Sequence, residues 1–308
     1  MALRVSLGKS IQNCRGFFSL APISGCGEPL VLNSINRQTT VNEKLHPSDD
    51  SASNSLFNAL HRTDALGFVR SLPAQSIDML LTDPPYSSGG LHTSARTKST
   101  STKYIHGNTK TTYVDFEFDN MDQRSWAFWC HNWLSSAYHA LKLGGLVVCF
   151  IDWRQLPTLT DVIQAAGFTH RGIAVWDKTT CRARPRKGGF KQQAEFIVWA
   201  SRGALKPAAV YLPGVFSQAL SFPKKHLTEK PIEIAREILR LVPLDGAICD
   251  PFAGSGTFLV AAEEVGLRWT GCEMNAHYFR EAKERLKIKQ SGKESKSVRY
   301  MPVCESES

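Results

Sequence analysis

Apolar residues in this chain gather into short runs separated by polar, helix-patterned stretches. Ser76-Ile-Asp-Met-Leu-Leu-Thr82 is an apolar run bounded by turn residues, the mark of a buried strand. Trp126, Trp129, Trp133, Leu134, Ala137, Tyr138 and Leu141 recur at helical spacing, and Gly144-Gly145 are expected to stop that helix. Leu146–Ile151 predicts the next strand, followed by an amphipathic helix over about 155–166. Ile173–Trp176 and Phe196–Trp199 predict two more strands. Pro231 opens a helix with Ile232, Ala235, Ile238, Leu239 and Val242 on one face. A strand at 247–250, a helix at 256–265, a strand at 268–273 and a helix at about 276–288 complete the series. Alternation of this kind predicts an α/β fold, a mostly parallel sheet with helices on both faces.

Two stretches break the alternation. Residues 87–120 are long, polar and rich in Thr, Ser and Lys, and residues 178–193 are short and basic. Residues 1–55 also differ: Ser, Asn, Gly and Thr dominate, and the first acid is Glu28. Arg4, Lys9 and Arg15 could mimic a transit peptide, but Arg-rich amphipathic periodicity is poor, so an irregular extension is expected. The tail 291–308 is polar and expected to be loose. The organisation predicted is therefore an extension (1–55), one α/β domain (56–290) and a tail (291–308).

Charge and cysteine content narrow the class. In 308 residues there are 37 Lys+Arg against 28 Asp+Glu, a net charge of +9, which favours a polyanionic partner, nucleic acid before membrane. No apolar run approaches the roughly 18–20 residues that span a bilayer, so an integral membrane protein is not expected. The eight cysteines form no CxxC and no zinc-like Cys/His spacing, so no metal site is expected. Cys149, Cys249 and Cys272 sit in or at the ends of strand runs, which reads as buried thiols in a reduced, cytoplasmic protein.

Asp250-Pro-Phe-Ala-Gly254-Ser-Gly256-Thr257 follows a strand and opens a helix, and Glu273 ends the next strand. Glycines let the backbone turn tightly against a ligand, and a carboxylate at that strand end can accept from ribose hydroxyls. No Lys-[ST] follows, so this is not a P-loop, and the third glycine of a dinucleotide fingerprint is missing. Acidic Asp250 beside the loop disfavours a phosphate ligand. An adenosine-containing ligand without a crucial phosphate is the expectation.

Thr82-Asp83-Pro84-Pro85-Tyr86 stands at the C-terminal end of the first strand, the edge at which open α/β sheets bind ligands. Neither proline has an N–H, so the turn offers carbonyl acceptors, and Asp83 adds a carboxylate. An exocyclic amine on a nucleobase is a poor nucleophile because its lone pair is delocalised into the ring. Acceptors aimed at its hydrogens favour the pyramidal form and neutralise charge as nitrogen gains a methyl group. Tyr86 supplies a face for base stacking, worth about 1–3 kcal/mol.

With these residues in view, the chain resembles the S-adenosylmethionine-dependent, amino-directed DNA methyltransferases. Asp83-Pro-Pro-Tyr86 is similar to their catalytic motif and Asp250-Pro-Phe-Ala-Gly-Ser-Gly256 to their cofactor motif. The catalytic motif comes first, as in the beta arrangement, and the overall pattern is most similar to phage and prophage adenine-specific enzymes. His226-Leu-Thr-Glu-Lys230-Pro231 resembles the segment whose Thr and Lys, here Thr228 and Lys230, lie near the methionine part. His61-Arg-Thr-Asp64 resembles the segment whose Asp meets the cofactor adenine. The resemblance implies a class I (Rossmann-like) methyltransferase sheet of seven strands, one antiparallel near an edge. It also implies a cofactor site of Asp64, Thr228, Lys230, Asp250, Phe252, Ala253, Gly254, Ser255, Gly256, Thr257 and Glu273, and a catalytic set of Asp83, Pro84, Pro85 and Tyr86. No large target-recognition domain is visible between Ser201 and Lys225.

Lys178, Arg182, Arg184, Arg186, Lys187 and Lys191 then read as phosphate contacts, with Arg96, Lys98, Lys103 and Lys110 as further candidates. The tryptophans of the long helix read as core. The expected reaction is methylation of adenine N6 in double-stranded DNA on a flipped base. The alternatives are cytosine N4, RNA or a protein amide as acceptor, and a non-catalytic DNA-binding protein. A restriction endonuclease partner is compatible; the oligomeric state is open.

Overall fold

The computed structural model describes residues 56–87, 121–179, 187–208, 210–219 and 230–292. Its elements are β1 (Ala59–His61), α1 (Ala65–Ser71), β2 (Ile77–Thr82), α2 (Gln123–Ala140), β3 (Leu141–Ile151), α3 (Leu156–Ala165), β4 (Thr169–Asp177), β5 (Ala194–Ser201), β6 (Val215–Ser217), α4 (Ile232–Leu239), β7 (Ala247–Asp250), α5 (Thr257–Val265), β8 (Arg268–Cys272) and α6 (Ala276–Gly292). Each strand and helix expected from the apolar pattern is present, with shifted ends.

The strands form one sheet in the order β1-β8-β7-β2-β3-β5-β4-β6. All pairings are parallel except those of β5, which runs antiparallel to both β3 and β4. The described residues thus hold eight strands, not the seven implied by resemblance. The edge strands β1 and β6 have three residues each, too short to imprint an apolar period on the sequence.

Central strands are buried on both faces, which is why they read as continuous apolar runs. In β3, Val147, Cys149 and Ile151 pack towards α1, α2 and α3. The alternate residues Leu146, Val148 and Phe150 pack towards α4 and α5. Helix α2 turns Trp126, Cys130, Trp133, Leu134 and Ala137 into the first core, and Asp122 caps it by accepting from the Arg124 and Ser125 amides.

Two boundaries differ from the sequence reading. Gly144-Gly145 do not stop α2, which ends at Ala140 and passes straight into β3. Leu141 pairs with Ile77, and Leu146 with Met79, so β3 bulges between them. Gly144, at φ +77, takes the left-handed turn of that bulge and donates to the Arg202 carbonyl at 2.7 Å. At the other end, α6 continues to Gly292, past the expected start of the tail. The extension 1–55 lies outside the described residues. Among the described residues no helix is long and apolar enough to cross a membrane, and no group of acids, histidines and cysteines could hold a metal. Cys130, Cys149, Cys249 and Cys272 are buried free thiols, all pushed up in pKa by burial.

Candidate active site

Parallel strands bring their C-terminal ends to one edge of the sheet, and most of these ends carry an acid. Asp83 follows β2, Asp152 follows β3, Asp177 ends β4, Asp250 ends β7 and Glu273 follows β8. Glu195 joins them from β5, which starts at this edge because it runs the other way.

Asp83 is held by two side chains, one on each carboxylate oxygen. The Lys230 ammonium lies 2.6 Å from its Oδ2, and the Tyr86 hydroxyl donates to its Oδ1. Lys230 is buried, with its Nζ 3.3 Å from Glu195 Oε2 and over the rings of Tyr86 and Phe150 at 5.3 and 5.7 Å. Burial pushes the Asp83 carboxyl up from its ordinary range, against the pull of Lys230. Burial opposes ionisation of Glu195 as well, but Lys230 and Lys178 outweigh it and hold that carboxyl below its ordinary value. For Lys230, burial is likewise outweighed by the two carboxylates, and its pKa is raised. Tyr86 is driven well above its usual value by burial and by Asp83, so its hydroxyl stays a donor.

The backbone of the turn is held from below. Trp126, fully buried in α2, donates its indole N–H to the Pro85 carbonyl at 2.7 Å. The helical period marks Trp126 as core, and it is; the hydrogen bond adds a second task that periodicity cannot reveal. Trp126→Phe keeps most of the packing but leaves the partly buried Pro85 carbonyl without its donor. Urea unfolding is expected to show a loss of about 1–3 kcal/mol, with turnover several-fold lower as the turn loosens.

On the neighbouring strands, the glycine loop is braced on every side. Asp250 is 1% exposed; its Oδ1 accepts from the Thr82 hydroxyl at 2.7 Å and the Phe252 amide at 3.1 Å. It therefore ties β7 to the strand that carries Asp83. Phe252 packs on Trp129 and Trp133, each ring 5.3 Å away. The Ala253 amide donates to the Cys272 carbonyl. Arg285 of α6 donates to the Ser255 carbonyl at 2.8 Å, the Ser255 hydroxyl at 2.9 Å and the Thr257 hydroxyl at 3.4 Å. Glu273 accepts from the amides of Gly254 and Asn275 at 2.9 and 2.7 Å. Its own amide donates to the His61 carbonyl, which brings the β1 end, and Asp64 three residues on, to the same place. Asp64 caps α1 by accepting from Gly67. Gly254, at φ +52, has no heavy atom within 4 Å of the position a Cβ would take; Gly256, at φ +83, would set one 3.0 Å from Ala282 Cβ.

Burial raises Asp250 from 3.8 to about 7, despite the Thr82 and Phe252 hydrogen bonds. Because the folded value is above the unfolded one, Asp250 contributes stability that is complete below about pH 4 and is lost as pH rises through about 7. Asp250→Asn removes this titration. Thermal unfolding from pH 5 to 8 is expected to show a flatter pH dependence for the variant than for the wild type; identical profiles would count against a buried, titrating Asp250.

A family profile described as DNA methylase matches residues 77–284. The chain belongs to the DNA methylase family. An Escherichia coli (strain K12) protein named as a methylase, YubD, is 30% identical to it over 226 residues, 72% of this chain and 87% of that one. Two solved structures share the fold. The M1.HpyAVI–SAM complex aligns with TM-score 0.54 and 21% identity over 74% of this methylase and 98% of that chain. The cytosine-N4-specific PvuII DNA methyltransferase aligns with TM-score 0.58 and 18% identity, over 76% and 90%.

In this methylase the strand carrying the catalytic turn and the glycine loop meet through the Thr82–Asp250 hydrogen bond. Lys230, from the segment expected beside the methionine part of the cofactor, pairs with Asp83. Of the basic segment, Lys178 is turned inward onto Glu195 at 2.6 Å, whereas Lys187 and Lys191 are exposed. Arg182, Arg184, Arg186, Thr228, Arg96, Lys98, Lys103 and Lys110 lie outside the described residues. An open cleft of about 490 Å³, lined by Trp153, Phe190, Lys191, Gln193 and Phe196, flanks the same edge. Sequence reasoning missed Glu195 and Trp126; an acid opening a strand and a tryptophan on a helical stripe carry no local signal of their partners.

Proposed function

We propose that this methylase transfers a methyl group from S-adenosylmethionine to the N6 amino group of adenine in double-stranded DNA, with the base swung out of the stack. The observation that carries the reading is the Asp83 carboxylate, fixed at the strand end by Lys230 and Tyr86 and followed by two prolines that have no N–H. Asp83 accepts an amino hydrogen and neutralises the charge that nitrogen acquires before it sheds a proton. The Pro84 carbonyl is the backbone acceptor in this reading, since Trp126 uses that of Pro85. Tyr86 offers its ring to the base. Holding and orienting the base supply most of the remaining rate enhancement.

When bound, S-adenosylmethionine supplies an electrophilic methyl on sulfur and leaves as the neutral sulfide. The residues present fit it. Gly254 opens onto space that a side chain would occupy, Glu273 stands at the strand end suited to ribose hydroxyls, and Asp64 lies on the adjoining segment. The acidic edge suits a cationic ligand better than a phosphate. Phe252, Ala253, Ser255, Gly256 and Thr257 shape the loop, and Asp250 ties it to the catalytic strand. Exposed Lys187 and Lys191, with the neighbouring arginines, meet DNA phosphates.

The same geometry serves cytosine N4, and the fold shared with the PvuII enzyme makes that the second reading. The resemblance leans to adenine because an Asp, not a Ser, opens the catalytic turn. Incubation with labelled S-adenosylmethionine and plasmid DNA, followed by digestion to nucleosides, decides it. Label is expected in N6-methyladenine; label in N4-methylcytosine overturns the base assignment, and label on RNA or protein alone overturns the substrate.

A further inference from the structure

Glu195 opens β5 beside the catalytic turn, and no motif singles it out. Its Oε2 lies 3.3 Å from Lys230 Nζ and its Oε1 2.6 Å from Lys178 Nζ, while Lys230 sits 2.6 Å from Asp83. Charges of alternating sign thus run from Asp83 through Lys230 and Glu195 to Lys178. Their side chains are 18, 5, 16 and 20% exposed, too little for solvent to screen the chain away.

We propose that Glu195 is a positioning residue for Asp83: by sharing Lys230 it limits how far that ammonium occupies the Asp83 carboxylate, which keeps its acceptor strength for the target amino group. The inference rests on the reading of Asp83 as the group that receives the amino hydrogens. The groups facing Asp83 are Tyr86 on its own turn, Lys230 ahead of α4, Glu195 on β5, Cys149 on β3 and Asp250 on β7. Lys178 reaches it through Glu195. Two carboxylates and two ammonium groups balance. Without Glu195, one excess positive charge remains where the attacking nitrogen itself turns positive, and Lys230 falls wholly on Asp83. Without Lys178, the excess is negative.

Single-turnover methylation at saturating DNA and S-adenosylmethionine, followed across pH, tests this. Glu195→Gln is expected to slow transfer by about 10- to 100-fold with little change in the affinity for S-adenosylmethionine. Activity needs ionised Asp83 and is lost as pH falls, so this variant moves the acidic limb to lower pH. Lys178→Met moves it to higher pH. The double variant Glu195→Gln/Lys178→Met restores the charge balance and transfers faster than Glu195→Gln alone. A merely structural Glu195 leaves both limbs unmoved and makes the double variant no better than the single, and either result overturns the proposal. Should Glu195→Gln fail to fold, the Lys178→Met limb decides alone. Wild-type transfer combined with unmoved limbs defeats this inference only; no wild-type transfer to DNA defeats the functional reading and the inference with it.

Discussion

Asp83→Ala is expected to cut methyl transfer at least about a thousandfold while S-adenosylmethionine still binds. In the proposed reading the carboxylate is the only charged acceptor that the turn itself supplies, and its loss leaves the amino hydrogens and the developing charge on nitrogen without it. The fold should survive. Lys230 keeps Glu195 as a partner 3.3 Å away, and Tyr86 is left beside the Lys230 ammonium rather than an unpaired carboxylate. Calorimetric binding of S-adenosylmethionine and turnover on plasmid DNA separate the two effects. Loss of binding with the loss of turnover would move Asp83 into the cofactor site and contradict its assignment.

Lys230→Met should have the second large effect, and of a different kind. It leaves Asp83 with no ammonium partner, while Glu195 keeps only Lys178, 2.6 Å away. Breaking a buried pair from one side costs about 3–5 kcal/mol, which for a chain of this size lowers Tm by about 10 °C. Part of that loss is recovered by protonation, because burial already pushes Asp83 upwards and removal of Lys230 pushes it further. The sign follows: Asp83 works ionised, so the acidic limb of the variant's activity moves to higher pH. Differential scanning calorimetry and a pH–rate profile measure both. An unchanged Tm would mean that the ion pair is no part of the folded protein's stability.

The central elements were legible because they are buried on both faces. Runs such as Leu146–Ile151 have no polar alternation to obscure them, and Pro231 marks the start of α4 directly. The three-residue edge strands have no such run. Gly144-Gly145 misled because glycine serves both a helix stop and a strand bulge, and only the pairing of Leu141 with Ile77 separates the two. The candidate site is readable from sequence where the residues proposed for it are neighbours in the chain, in the Asp83–Tyr86 turn and in the glycine loop. It was hidden where the partners come from distant strands. Asp250 reads as a loop acid but binds Thr82, which lies 168 positions away, and Lys230 reaches Asp83 across 147. Residue type tells what a side chain can do; only sheet order tells what it stands beside.

The most direct test is the modified-base content of genomic DNA from cells that express the wild-type chain or Asp83→Ala. Mass spectrometry of the nucleosides should find N6-methyladenine raised in the first and at background in the second, with both proteins present at equal level. N4-methylcytosine instead, or equal N6-methyladenine from both, would contradict the account.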